Sequence, residues 1–202
     1  MPKIQSLNIV GNPDEILIKL HQQFSGTPDC PADLKAQMLP YQLVAVYGLA
    51  TQYAQPDTTM LEIGTGYGAS AFMLAKAAPM AFIASLTINP VEAKAAQRKL
   101  DALGCNVKVI VQPSWDFFNV VRHPWSLILV DGDHNQIRRD LQWWKRVAPG
   151  GLMLFHDYSP AGSAHPSPIA FSELTEFGKA LRREPDVMIV DNTQTGMIGW
   201  YK

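Results

Sequence analysis

The chain has 202 residues, 47% of them hydrophobic and 17% charged, with a formal net charge of −1. That is the composition of one globular domain with a sizeable core; it excludes a disordered chain and argues against nucleic acid as a partner, since there is no protein-wide basic field. Cys30 and Cys105 fit no metal spacing, no apolar run is long enough to span a membrane, and no signal-peptide pattern opens the chain, so the expectation is a cytoplasmic protein with no membrane partner.

Residues 1–12 read as a short strand or an arm. Asp14 to Phe24 carries apolar residues on roughly one helical face, with Asn12-Pro13 as cap and first turn. Ser25 to Asp33 is loop. Lys35 to Ala54 has a helical pattern, with Pro40 as a break or first-turn residue. From Thr59 onward, short apolar strands alternate with helices. The strands are 59–63, 81–88, 107–111, 127–130 and 152–155. The helices are 69–78, 91–103, 115–121 and 136–147, the last closed by Pro149-Gly150-Gly151. Such alternation is the mark of parallel βαβ units, and strands this apolar are covered on both faces. The stretch 159–168 is a proline- and serine-rich loop, 169–181 a helix, and 187–190 with 197–201 a hairpin. The whole reads as a single domain over 1–202, in which 1–40 is a helical extension and 41–202 the core.

The first strand of that alternation runs into Glu62-Ile-Gly64-Thr65-Gly66-Tyr67-Gly68 and then a small-residue helix. Strand, glycine turn and helix present backbone N–H groups and a positive helix end to a nucleotide-like ligand. The spacing is not the dinucleotide fingerprint Gly-x-Gly-x-x-Gly. Glu-x-Gly-x-Gly-x-Gly resembles motif I of the class I S-adenosylmethionine-dependent methyltransferases. The resemblance covers roughly residues 40–202 and implies a Rossmann-like, doubly wound, seven-stranded sheet, mostly parallel, with an antiparallel C-terminal strand. It implies that Glu62 and Gly64–Gly68 hold the methionine and ribose end of the cofactor. At the end of the next strand the family carries an acid for the ribose hydroxyls. Here Thr87 stands in that place, with Asn89 as a further acceptor and Glu92 one helical turn on. After the third strand, Ser114 and Trp115 match the family's adenine-side position; the same residues also read as cap and core anchor of a short helix.

Two further strand ends are rich in proton-carrying groups: Asp131-Gly-Asp133-His134 and His156-Asp157-Tyr158. Neighbouring parallel strands would bring them to one crevice. With the following Arg138-Arg139-Asp140 they resemble a bacterial branch of small-molecule O-methyltransferases. Two chemistries stay open. Asp131 and Asp157, with His156 or Asp133, could hold Mg²⁺ or another divalent cation that acidifies an acceptor hydroxyl. Alternatively His134 could act as a metal-free base, with Asp131 and His156 beside it. Arg138, Arg139 and Asp140 read as a solvated helix face. One of Trp143 and Trp144 is expected on the sheet and the other against a partner subunit, as in a homodimer. His165 is a candidate to close over substrate; His21 and His123 read as structural. The function expected is methyl transfer to a hydroxyl of a small-molecule acceptor. Its rivals are another metal-dependent enzyme, and a degenerate methyltransferase fold that binds cofactor weakly or serves as a non-catalytic partner. No Gly-x-Ser-x-Gly elbow supports a hydrolase.

Overall fold

The computed structural model describes residues 6–158, 168–192 and 195–202, with backbone alone for 168–171. Eight strands form one sheet in the order β1-β7-β8-β6-β5-β2-β3-β4. They are β1 (Leu7–Gly11), β2 (Thr59–Ile63), β3 (Phe82–Thr87), β4 (Val107–Val111), β5 (Trp125–Val130), β6 (Val147–Tyr158), β7 (Val187–Asp191) and β8 (Gly196–Tyr201). All neighbours are parallel except at β8, which runs antiparallel between β6 and β7. The final strand therefore slots in as expected. The count is eight rather than seven because the N-terminal residues add β1 alongside β7.

The helices are α1 (Pro13–Gln23), α2 (Pro40–Ala50), α3 (Ala69–Ala77), α4 (Pro90–Ala102), α5 (Ser114–Val120), α6 (Ile137–Asp140) and α7 (Pro168–Leu181). Side chains alternate along each strand, so the sheet has two cores. Met60, Ile83, Leu127, Leu129, Leu152 and Leu154 pack with α1, α2 and α3 on one face. Leu61, Ile63, Leu86, Ile128, Val130 and Phe155 pack with residues of α5, α6 and α7 on the other. Two asparagines start helices as the sequence suggests. The Asn12 side chain accepts from the Glu15 N–H at 3.0 Å, and Asn89 accepts from Val91 and Glu92; in each case proline takes the first helical position.

Three expectations change. The helix expected from Lys35 begins at Pro40, and Lys35 itself adopts a left-handed backbone at φ 45°. The helix expected over 136–147 breaks into α6 flanked by 3-10 turns at His134–Gln136 and Leu141–Arg146. Pro149-Gly150-Gly151 does not lie between elements but inside the long strand β6. The carbonyl oxygen of Ser126 would lie 2.7 Å from a Cβ at position 151, a proximity only glycine tolerates.

Candidate active site

The site lies at the carboxyl ends of β2, β3, β5 and β6, where an open α/β sheet receives ligands. The β2–α3 turn is held by N–H bonds from Gly64 and Thr65 to the Leu86 carbonyl, at 2.9 and 3.0 Å. Gly64 sits at φ 105°, and a Cβ there would lie 2.0 Å from the Asp131 carbonyl oxygen; backbone from β5 passes directly over it. Gly66, at φ 48°, has nothing within 4 Å of its absent Cβ and opens into a cavity. No side chain caps the α3 N-terminus, so its first N–H groups remain for a ligand.

That cavity, about 250 Å³, is lined by Gly64, Thr65, Gly66, Tyr67, Ser70, Thr87, Glu92, Asp131 and Gly132, with Lys35, Gln37 and Met38 from the segment before α2. The Lys35 ammonium stands 5.6 Å from the Tyr67 ring centre, tying this segment to the glycine loop. Gly64, Thr87 and Gly132 also border a second cavity of about 160 Å³, which continues past Leu86, Gln112, Ser114, Trp115, Gln136 and Asp140.

Glu62 lines neither cavity. It is fully buried beneath the loop, where the hydroxyls of Ser70 and Ser85 each donate to one carboxylate oxygen and Ser85 in turn contacts Thr65 at 2.6 Å. Burial raises its pKa to about 7 against the lowering effect of those hydroxyls. Glu62 thus braces the loop from below. Gly68 turns the chain into α3 at φ 93° and packs near Leu100, outside the cavity. Asn89 spends its side-chain oxygen on capping α4. Thr87 reaches both cavities, and its Oγ1 accepts from the Asn89 N–H at 3.1 Å. Glu92, on the first turn of α4, puts a carboxylate in the cavity wall that Thr87 lacks.

At the ends of β5 and β6 the acids and imidazoles do converge. His156 Nδ1 lies 2.7 Å from Asp131 Oδ1 and 3.4 Å from Asp157 Oδ1, and His134 Nε2 lies 2.9 Å from Asp157 Oδ2. The Thr195 hydroxyl donates to Asp157 at 3.2 Å. Successive strand residues normally face opposite ways. Here a register shift against β8 between His156 and Tyr158, with Asp157 at φ 56°, lets His156 and Asp157 share one cluster. Desolvation pulls the buried His156 down, but Asp131 and Asp157 outweigh it and raise its pKa to about 10. The hydrogen bond to Asp157 raises His134 as well. Desolvation pushes Asp157 up, but the two imidazoles overcome it and hold its carboxyl far below the usual carboxylate range. Ligand-capable atoms of Asp131, His156 and Asp157 lie within 4.8 Å of one another. Asp133 stands apart from this cluster; it is exposed, borders the smaller cavity and accepts from the Asn135 backbone as a turn cap.

A further residue differs from the sequence reading. Asp140 is 2% exposed and takes a hydrogen bond from Ser114, rather than lying on a solvated face. The break in the helix before Leu141 turns it inward, and no helical period would have shown that. Trp143 is buried as expected, but Trp144 packs edge-on against Phe177 at 5.6 Å with the Arg183 and Lys202 cations 6.0 Å away. Trp144 is thus half-buried by contacts within its own chain. His165 lies outside the described residues.

A glycine loop under a two-part crevice, on a sheet whose last strand is reversed, defines the class I methyltransferase fold. Residues 61–158 match the family described as methyltransferase domain. The fold of the chain is similar to an O-methyltransferase from Bacillus cereus solved with S-adenosylhomocysteine (18% identity, 94% of this chain and 91% of that one, TM-score 0.66). It is equally similar to the O-methyltransferase TomG of tomaymycin synthesis from Streptomyces achromogenes, solved with S-adenosylmethionine (20%, 95% and 91%, 0.66). An rRNA methylase from Streptococcus thermophilus shares the fold too (13%, 83% and 98%, 0.63). No curated protein matches the chain.

Proposed function

We propose that the protein transfers a methyl group from S-adenosylmethionine to a hydroxyl of a small-molecule acceptor. The observation that carries this reading is the double placement of Asp131. Asp131 lines the glycine-loop cavity and also bonds His156 in the acid–imidazole cluster, so donor and acceptor sites meet at one side chain. In this reading the amino-acid end of the cofactor rests on the loop and the α3 N-terminus, and Glu92 takes the ribose hydroxyls in place of the absent strand-end acid. Thr87 offers the ribose one further hydroxyl. The adenine enters the second cavity beside Ser114 and Trp115.

Methyl transfer from a sulfonium is an in-line displacement, so the protein must align the acceptor and remove its proton. His134 is the most exposed member of the cluster, oriented by Asp157. The raised pKa makes its ring a stronger base once it has shed its own proton, and that proton is the one the acceptor replaces. Two carboxylates and an imidazole also fit a divalent cation, which would be held by Asp131, Asp157 and His156 and would acidify a hydroxyl when bound. Such an ion competes with the proton on His156 Nδ1.

The test is calorimetric binding of S-adenosylhomocysteine, followed by transfer of labelled methyl from S-adenosylmethionine to a panel of small phenols and catechols. Binding with transfer supports the reading; absence of binding overturns it. Loss of transfer on chelation, restored by Mg²⁺ or Mn²⁺, assigns the ion, whereas insensitivity to chelation leaves His134 as the base.

A further inference from the structure

Three buried polar side chains that line neither cavity are joined in a row ending on Asp157. Tyr41 and Gln42 open α2 and are 1% and 0% exposed; Thr195, just before β8, is buried as well. The Leu39 N–H donates to Gln42 Oε1 at 2.7 Å, and Gln42 Nε2 donates to the Tyr41 hydroxyl at 3.3 Å. That hydroxyl donates to the Thr195 carbonyl oxygen at 2.6 Å, and the Thr195 hydroxyl donates to Asp157 Oδ1 at 3.2 Å. A buried hydroxyl or amide is costly unless it finds a partner, and here each finds the next. The bond from Leu39 caps α2 and is explained by that alone. The bonds through Tyr41 and Thr195 cap nothing; they join the start of α2 to the cluster at the end of β6.

We propose that Thr195, seated by Tyr41, is a positioning residue for methyl transfer: its hydroxyl fixes the Asp157 carboxylate and, through it, the His134 ring. This rests on the S-adenosylmethionine reading above. Asp157 leaves the strand conformation at φ 56°, so the pleat does not set the direction of its side chain. Its Oδ2 meets His134 Nε2 at 2.9 Å, whereas its Oδ1 meets His156 only at 3.4 Å. A carboxylate is planar, so a partner that holds Oδ1 also sets where Oδ2 points. The Thr195 hydroxyl is that partner, and the Tyr41 bond holds the backbone that carries it. Neither side chain touches the reacting atoms in this role; both act through Asp157.

The experiment compares Thr195→Val, Thr195→Ser and Tyr41→Phe with the unaltered protein. Valine keeps the volume and loses the hydroxyl; serine keeps the hydroxyl. With the phenol that the unaltered protein methylates fastest, kcat should fall roughly ten- to a hundredfold in Thr195→Val. The KM for S-adenosylmethionine and the affinity for S-adenosylhomocysteine should change little. Thr195→Ser should restore most of the rate, and Tyr41→Phe should fall between the two. In spectra of isotope-labelled histidine, the His134 N–H signal shifted by its bond to Asp157 should move or broaden in Thr195→Val and persist in Thr195→Ser. An unchanged kcat in Thr195→Val overturns the proposal while the cofactor reading stands. A loss in Thr195→Ser equal to that in Thr195→Val, or a parallel loss of cofactor affinity, marks a packing role and overturns it too. Should Thr195→Val fail to fold, a full rate in Tyr41→Phe overturns it. Where no phenol is methylated the histidine spectra decide, and an unmoved His134 signal overturns it. Failure of the unaltered protein to bind S-adenosylhomocysteine defeats the cofactor reading, and the proposal with it.

Discussion

Two carboxylates near the ends of β2 and β6, strands separated by β5, meet opposite fates. Glu62 on β2 is sealed under the glycine loop and meets only hydroxyls, so burial dominates and its pKa rises to about 7. Asp157 on β6 is also largely enclosed, but it meets two imidazoles, and its carboxyl is held down. Desolvation acts on both. The partner decides: a neutral hydroxyl cannot offset the loss of water around a charge, whereas an imidazolium can. One carboxylate therefore braces the loop and the other belongs to a reactive cluster, although both stand at the ligand-binding edge of the sheet.

The comparison breaks most visibly at the cluster. Asp157→Asn strips His134 and His156 of a shared carboxylate. Methyl transfer should fall roughly 10²- to 10⁴-fold, with S-adenosylhomocysteine affinity little changed, as read by steady-state kinetics beside calorimetry. An equal loss of binding and turnover would show that Asp157 only supports the fold.

Glu62 yields a smaller effect with a defined sign. Its folded pKa lies above its unfolded value of 4.5. Its contribution is thus fully present below about pH 4.5 and is lost as pH rises to about 7, a decline of roughly 3 kcal/mol. Glu62→Gln should flatten that part of the stability–pH curve in urea denaturation. A curve of unchanged slope would mean that the buried carboxylate does not titrate in this window.

The smallest effect expected is at Ser70. Ser70→Ala removes one of the two hydroxyls on Glu62 and should cost about 1–2 kcal/mol above pH 7, where the carboxylate is charged, and less at pH 5. Equal losses at both pH values would show that the hydroxyl serves packing rather than the charge.

Much of this was legible in the chain itself. Three alternate glycines after an apolar strand declare a ligand-facing turn, because few other residues accept positive φ and a backbone passing at 2.0 Å from a would-be Cβ. Apolar runs alternating with helical periods declare a covered parallel sheet. Acids and histidines at Asp131–His134 and His156–Asp157 declare a cluster once the strands are parallel neighbours. The sequence did not tell which acid faces a ligand. Glu62 reads as a cofactor contact and turns out to be a brace, while Asp140, which reads as solvated, borders a cavity, as does Glu92, one helical turn beyond Thr87.

Local pattern thus determined the elements, their order and the chemistry available at the sheet's edge, since propensity, glycine conformation and hydrophobic period act over a few residues. Tertiary structure alone decided which carboxylates lost water, which found an imidazole and which were left facing a cavity. Those outcomes depend on groups brought together from distant strands, and charge responds to its whole surroundings rather than to its neighbours in sequence.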